Sequence, residues 1–415
     1  MLMTGPQSGE HLPLDEIDLF SPTSYRTVPQ HHAWHTLREQ APVWRQARPG
    51  QPAFWNLTRF DDVVRLVKDT TRFSSTHGNV LDVADSGDSA GGKTMPLTDP
   101  PEHAWLRSPA IKTMSTLVVS RRTEDVRARI RTMLAPCYDG GTVDITQIML
   151  HLPMLAVGDI LGIPESVWPD IPGWTMAGIA PEDPIYSQGS NERTLRKAHH
   201  QLFAMFSEVI AARRRAPKDD LISVLVGLDY GGRKLDDQQV LLNCYSMVMG
   251  ANTTTPHVAA HLILALAENP DAWRQVLGDP SLVSGCVEEA LRWSTPTNHV
   301  MRRTTEDVEI RGTRIAAGDI VAAWIGSANR DAEVFADPYA FLPDRKPNKH
   351  IAFSLGAHYC IGAPAARAVL NVLVEELAAG FEQFELDGPV EHLASNFING
   401  LTRLPVRAKL RSATS

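Results

Sequence analysis

The chain has 415 residues, 43% hydrophobic and 21% charged, with a formal net charge of −8. This is the balance of a globular protein with a substantial core, and no basic run exceeds Arg213-Arg214-Arg215, which argues against nucleic acid as a partner. No apolar run reaches the roughly 18 residues of a membrane span. Met1 to Pro13 lacks a signal-peptide layout, and Cys137, Cys244, Cys286 and Cys360 show neither disulfide nor zinc spacing, so a cytoplasmic protein is expected.

Residues 1–28 are polar and Pro-containing and read as an irregular lead-in; residues 29–415 read as one domain, without a Ser/Gly/Pro-rich linker after residue 100. His31 to Glu39 has helical period. Pro42 to Arg45 and Phe54 to Thr58 read as paired strands about a Pro49-Gly50 turn. Asp61 to Val67 returns to helical period. Phe73 to Pro101 is rich in Gly, Ser and Asp and aperiodic, and a loop of that length is either functional or a disordered insertion. Asp99-Pro100-Pro101-Glu102-His103 opens the next helix, on which His103 and Arg107, four apart, share a face.

Residues 122–162 read as two helices separated by Asp139-Gly140-Gly141. Trp174 to Glu192 is turn-rich, and Arg193 to Arg214 is a long amphipathic helix. Asp236 to Asn269 is the longest helical pattern and contains Gly250-Ala251-Asn252-Thr253-Thr254, then Pro256. A mid-helix glycine costs roughly 1 kcal/mol relative to alanine, so this stretch is a functional kink or a merely polar one. Pro280 to Trp293 is helical, with Glu289 and Arg292 meeting on one face. Val308 to Ile310 and Arg314 to Ile315 form a hairpin across Gly312.

The most specific stretch is Phe353-Ser354-Leu355-Gly356-Ala357-His358-Tyr359-Cys360-Ile361-Gly362, followed by an alanine-rich helical pattern from Ala363 to Gly380. A cysteine entering a helix N-terminus meets unpaired N–H groups and the positive end of the macrodipole, which favour a thiolate. One thiolate cannot build a tetrahedral zinc site or an iron–sulfur cluster, but it suffices as a single axial ligand to haem iron. The stretch resembles the haem-binding loop of the cytochrome P-450 family, Phe-Gly-x-Gly-x-His-x-Cys-x-Gly, with Ser354 at the first glycine.

The resemblance covers roughly residues 30–410 and implies the mainly α, single-domain cytochrome P-450 prism fold with a small β region. It makes Cys360 the metal ligand of haem b (Fe-protoporphyrin IX), shielded by Phe353, with Gly362 closing the loop. It assigns the propionate donors to His103, Arg107, Arg302 and His358, with Arg303 as a rival one residue from Arg302. In the central helix it places Gly250 and Ala251 against the haem, Thr253 as the oxygen-site hydroxyl, and Asn252 where the family has an acid. Glu289, Arg292 and Arg345 become a buried structural network. Asn298, His299, Phe397 and Ile398 become candidate substrate contacts, surface exposure being the rival for the first two. Phe73 to Pro101 is expected to cover the pocket, and the break after Trp174 resembles a lid.

By resemblance the chain is a monooxygenase that hydroxylates or epoxidises a small hydrophobic metabolite, in a bacterial secondary pathway, with dioxygen. A carrier-protein-bound substrate also fits. Electrons come from a separate ferredoxin and ferredoxin reductase, with Lys112 and Arg367 proposed on the docking face; a monomer is expected. Asn252 also admits oxidative coupling without oxygen insertion. A non-catalytic haem sensor is the reading from another class.

Overall fold

Two helices in line, Asp237–Asn252 and Thr255–Glu268, run through the middle of the molecule. Asp236 starts the first with a capping box, accepting from Gln239 N–H while the Gln239 side chain accepts from Asp236 N–H. The helical pattern from Asp236 to Asn269 breaks at Thr253 and Thr254, within the stretch where a kink is expected. Pro256 has no N–H to offer the carbonyl four residues back. The Thr253 and Thr254 hydroxyls donate to the carbonyls of Met249 and Gly250, at 2.9 and 2.7 Å.

The computed structural model describes residue 6 and residues 10–27, 30–48, 50–230 and 232–412; the Pro49 of the expected turn lies outside them. The fold is mainly helical with a small β region, in a single domain. The helix Thr255–Glu268 is buried over most of its length. It packs against Val283–Ser294, which in turn packs on the C-terminal helix Ala363–Gly380. This large core is separate from one that the lead-in builds, where Ile17, Leu19 and Tyr25 pack with Trp34, Leu81, Met301 and Trp324. Among the described residues no helix is long and apolar enough to cross a membrane.

The main sheet has five strands in the order Val43–Arg48, Gln51–Leu57, Ile320–Trp324, His299–Thr304 and Phe73–Ser74. Its first pair is the antiparallel hairpin read from the sequence, and Val308–Ile310 with Thr313–Ile315 is the second.

Two stretches depart from their sequence reading, and in a third the disordered alternative falls away. Trp174 to Ile179 belongs to the helix Ile171–Ile179, which starts with Pro172 in its first turn, so only the segment after it is irregular. Residues 122–162 hold three helices rather than two: Thr123–Met133, Ile145–Met149 and Leu152–Leu161. The loop Phe73 to Pro101 is tied down. Buried Asn243 accepts from Met95 N–H at 2.9 Å and donates to Lys93 C=O at 2.9 Å. Asp99 accepts from the Ser74 and Ser75 hydroxyls and from Ser75 N–H.

Glu289, Arg292 and Arg345 form one buried network. Arg292 grips Glu289 with two bonds, at 2.8 and 2.7 Å, and Arg345 Nε adds contacts at 3.0 and 3.1 Å. Leu342 N–H and Asn348 complete the carboxylate, and the rest of Arg292 donates to the carbonyls of Asn329, Pro338 and Ala340. The network fixes the segment after the sheet against the helix that supports the cysteine loop.

Candidate functional site

A cavity of about 300 Å³ lies between the broken central helix and the Cys360 loop. Cys360, Ile361, Gly362, Ala365 and Ala366 form one wall, and Ser246, Met247, Gly250, Ala251, Thr254 and Thr255 form the opposite one. At Gly250 an added Cβ would stand in open space, with nothing within 4 Å. The central helix therefore leaves room there for a flat group to approach its backbone.

The cysteine loop holds its sulfur by backbone. Cys360 N–H donates to Phe353 C=O at 2.8 Å, and Cys360 Sγ accepts from the N–H groups of Gly362 and Ala363. Burial pushes the thiol up; those N–H bonds and the charges of Arg107 and Arg367 act against it. Phe353 lies on the wall beside the sulfur, its ring covered by the Arg367 guanidinium 4.5 Å from the centroid. Gly356 takes a left-handed conformation at φ +70°, pressed on the Val67–Lys68 backbone, so a side chain is excluded there on both counts. Ser354, also on the wall, is left-handed too, at φ +58°.

Basic groups collect at one end of the cavity without acidic partners. Arg302 and His358 line it, and Arg107 reaches it while bonding Tyr359 C=O. His103 lies behind, its ring 4.4 Å from that of His358, with Nε2 buried and unbonded. Arg302 is 3% exposed, and it donates to Met301 C=O at 2.7 Å. Burial brings its pKa down to about 10, and burial with the charge of Arg302 brings His358 to about 3. His103 is lowered by burial and by Arg107. Asp99, the nearby acid, is already engaged by Ser74 and Ser75. Such a cluster lacks two carboxylates, which is what the propionates of haem b provide. The sulfur, the open glycine and the unpaired donors all fit that cofactor.

Arg303 is excluded from this end. It bonds Gly318 C=O and His77 on the surface, because alternate residues of a strand face opposite ways. The same alternation puts Val300 and Arg302 on the wall and turns His299 away.

Several other expected residues sit elsewhere. Asn252 is fully buried off the cavity, donating to Val248 C=O at 2.9 Å and to Met154 sulfur at 3.5 Å. Thr253 is buried beside it, and Thr254, one residue on, presents the hydroxyl to the cavity. Thr254 lies four residues after Gly250, on the face that lines the cavity, whereas Thr253, at the break, keeps its hydroxyl on Met249 C=O. Asn298 is wholly buried and donates to Asn396 C=O at 3.1 Å. His299 bridges Leu81 N–H and Asn396 C=O, each at 3.2 Å, and burial takes its pKa to about 3. Its neutral ring is a staple between the covering loop and the last turn. Ile398 is core, bridged to Thr297, while Phe397 is on the wall. Arg367 is engaged by Glu288 through two bonds at 2.6 and 2.9 Å, so it is not a free docking charge, whereas Lys112 is exposed.

Sequence reasoning missed Met247 on the wall; Met95 and Pro96, and Pro296 and Thr297, come from the two segments, Phe73 to Pro101 and Thr295 to Val300, expected over the cavity, but were not singled out. Met247 was reachable by stepping back one turn from Gly250. The pair from the covering loop carries no periodic signal.

Residues 174–410 match the family profile described as Cytochrome P450. The chain is 32% identical over 397 residues to cytochrome P450 NovI of Streptomyces niveus, covering 95% of this chain and 97% of that one. It is 32% identical over 387 residues to the erythromycin C-12 hydroxylase of Saccharopolyspora erythraea, covering 90% and 93%. The crystal structure of P450 OxyD, involved in the biosynthesis of vancomycin-type antibiotics, superposes with a TM-score of 0.85 at 32% identity, over 95% of this chain and 100% of that one.

Proposed function

The chain belongs to the cytochrome P450 family, is a haem b monooxygenase, and from that premise we propose that it oxidises a small, uncharged, largely apolar metabolite of bacterial secondary metabolism. The observation that carries the substrate class is the wall. Met95, Pro96, Met247, Pro296, Val300 and Phe397 line the cavity, and among the described residues no Asp or Glu does. A cationic substrate group would be buried there without a counter-charge, and the basic residues that could meet an anion are those assigned to the propionates. Secondary metabolism is supported by the relatives, one named an erythromycin C-12 hydroxylase and one involved in making vancomycin-type antibiotics.

Haem b held through a thiolate supplies activation of dioxygen and transfer of one oxygen atom to a C–H or C=C bond. The chain's part is to hold, orient and protonate. Cys360 would hold the iron through its sulfur, which is steadied by Gly362 and Ala363 N–H and shielded by Phe353. Arg107, Arg302, His103 and His358 take the propionates. Gly250 and Ala251 allow close approach. Thr254 holds its hydroxyl proton on Gly250 C=O and turns its oxygen to the cavity, where it orders the last proton donor. With no carboxylic acid on the wall, protons arrive through hydroxyls and water. Electrons come from a ferredoxin and its reductase, the partners that the family's oxygen chemistry calls for.

The test is an optical titration of the haem-loaded protein with a metabolite panel that includes carrier-protein-linked acyl groups, followed by turnover under labelled dioxygen. A shift to high spin with one neutral apolar class, and label in the product, is the expected result. Label recovered only in water would replace oxygen insertion by oxidative coupling. Selective binding of an anionic ligand would overturn the substrate class.

A further inference from the structure

Far from the cavity, three metal-ligating side chains converge where the lead-in crosses the first helix. His35 and Glu39 lie four apart on the helix Gln30–Gln40, on one face. His11 comes from the lead-in, which is pinned there by Leu12 N–H donating to the buried Thr36 hydroxyl at 2.9 Å. One ligand atom from each of the three lies within 4.8 Å of the others.

One carboxylate here faces two imidazoles rather than one. His11 Nε2 stands 3.3 Å from one Glu39 oxygen and His35 Nε2 3.6 Å from the other. His35 Nε2 is nevertheless buried with no hydrogen-bond partner. Two ligands each about 2.05 Å from a tetrahedral ion stand about 3.3 Å apart, so each histidine–carboxylate pair is near that spacing, and the three ligand atoms, all within 4.8 Å of one another, can close on an ion by small side-chain rotations. The imidazole rings are nearly parallel, 19° apart with centroids 5.5 Å apart, and the two carboxylate oxygens face one ring each. The ligand set of two imidazoles and a carboxylate suits a borderline divalent ion. The site is half open, with side-chain exposures of 25% for His11, 13% for His35 and 46% for Glu39, so water can reach the remaining coordination positions.

We propose that His11, His35 and Glu39 bind a divalent ion of the zinc type that staples the lead-in to the first helix. The staple closes the chain between residues 11 and 35. The segment it fixes packs through Ile17 and Leu19 against Leu81 of the covering loop. It also offers Phe20 C=O to Asn396, next to Phe397 on the cavity wall. Occupancy therefore steadies one side of the cavity's cover without touching the chemistry.

The test titrates zinc chloride calorimetrically into the haem-loaded, chelator-treated full chain, with limited proteolysis in parallel. The expected result is one ion per chain, with affinity lowered more than roughly tenfold in His11→Gln, His35→Gln and Glu39→Gln. Zinc should slow cleavage within residues 10–27 of the parent protein and not of Glu39→Gln. Glu39 is exposed, so its variant keeps the test valid if the His35 variant does not fold. His32→Gln, whose ring faces Glu10 at 4.0 Å, is expected to leave affinity unchanged. No stoichiometric binding, or binding insensitive to Glu39→Gln, overturns the proposal, as does equal loss in His32→Gln.

Discussion

Two buried arginine clusters lie on either side of the cysteine loop, and they are wired in opposite ways. Around Glu289, the donors of Arg292 meet a carboxylate or a carbonyl, and Arg345 closes the same carboxylate. At the cavity end, Arg302 and Arg107 sit with His103 and His358 and find only carbonyls, while His103 Nε2 finds nothing. Residue type does not distinguish the two clusters; satisfaction does. A complete network holds a fold together, and an incomplete one is waiting for its ligand.

The sharpest way to break that comparison is to remove one member from each cluster. Glu289→Ala leaves two guanidinium groups buried without a counter-charge, and is expected to cost about 3–5 kcal/mol. Thermal unfolding of the haem-free protein should show it as a large drop in Tm. Arg302→Gln is expected to do the reverse to the haem-free protein, leaving Tm equal or higher because an unpaired buried charge is gone. The same variant should bind haem roughly tenfold to a hundredfold more weakly, the worth of a charge-assisted hydrogen bond of about 1.5–3 kcal/mol. Haem transfer to a scavenger protein measures it. If Arg302→Gln destabilised the haem-free chain as Glu289→Ala does, satisfaction would not separate structure from site.

A finer contrast lies within the central break. Thr253 and Thr254 make the same kind of bond, each to the carbonyl four residues back, yet only Thr254 faces the cavity. Thr254→Ala is expected to lower the yield of product per electron pair roughly tenfold or more, with the loss appearing as peroxide. Thr253→Ala should leave that yield alone and cost about 1 kcal/mol of stability for a lost buried hydrogen bond. Parallel assays of peroxide and product, with Tm for each variant, separate the two.

What was legible in the chain follows from how far each signal reaches. The cysteine loop, Glu289 with Arg292, and the pair His103 and Arg107 were readable because each is a short spacing on one element. Thr254 was missed by one position because the motif was placed by residue type, with Asn252 assigned to the acid's place. Counting helical turns from Gly250 gives Met247, Ala251, Thr254 and Val258 on one face, which is the face that lines the cavity. Asn298 and His299 looked like pocket residues because they are the polar members of Thr295 to Val300, a segment expected to pass over the cavity. Strand alternation sends His299 the other way, and its partners come from residues 81 and 396, which no local pattern connects. Met95 and Pro96 reach the wall only through bonds from Asn243 to their loop, a tertiary fact.

The smallest expected effect tests whether satisfaction also governs a single hydroxyl. Ser354 stands where the loop pattern has glycine, and its φ of +58° is left-handed. That conformation costs an L-residue roughly 1–2 kcal/mol. Its Oγ is also buried with no partner. Glycine removes both penalties but gives back roughly 0.5–1 kcal/mol through the entropy of the unfolded chain. Ser354→Gly is therefore expected to raise the stability of the haem-free protein by about 1 kcal/mol, read as a modest rise in Tm. The haem-loaded comparison decides what the serine is for. An equal gain in both forms would make Ser354 a tolerated irregularity of the turn. A gain only without haem would mean that the hydroxyl finds its partner in the filled cavity, as the guanidinium of Arg302 does.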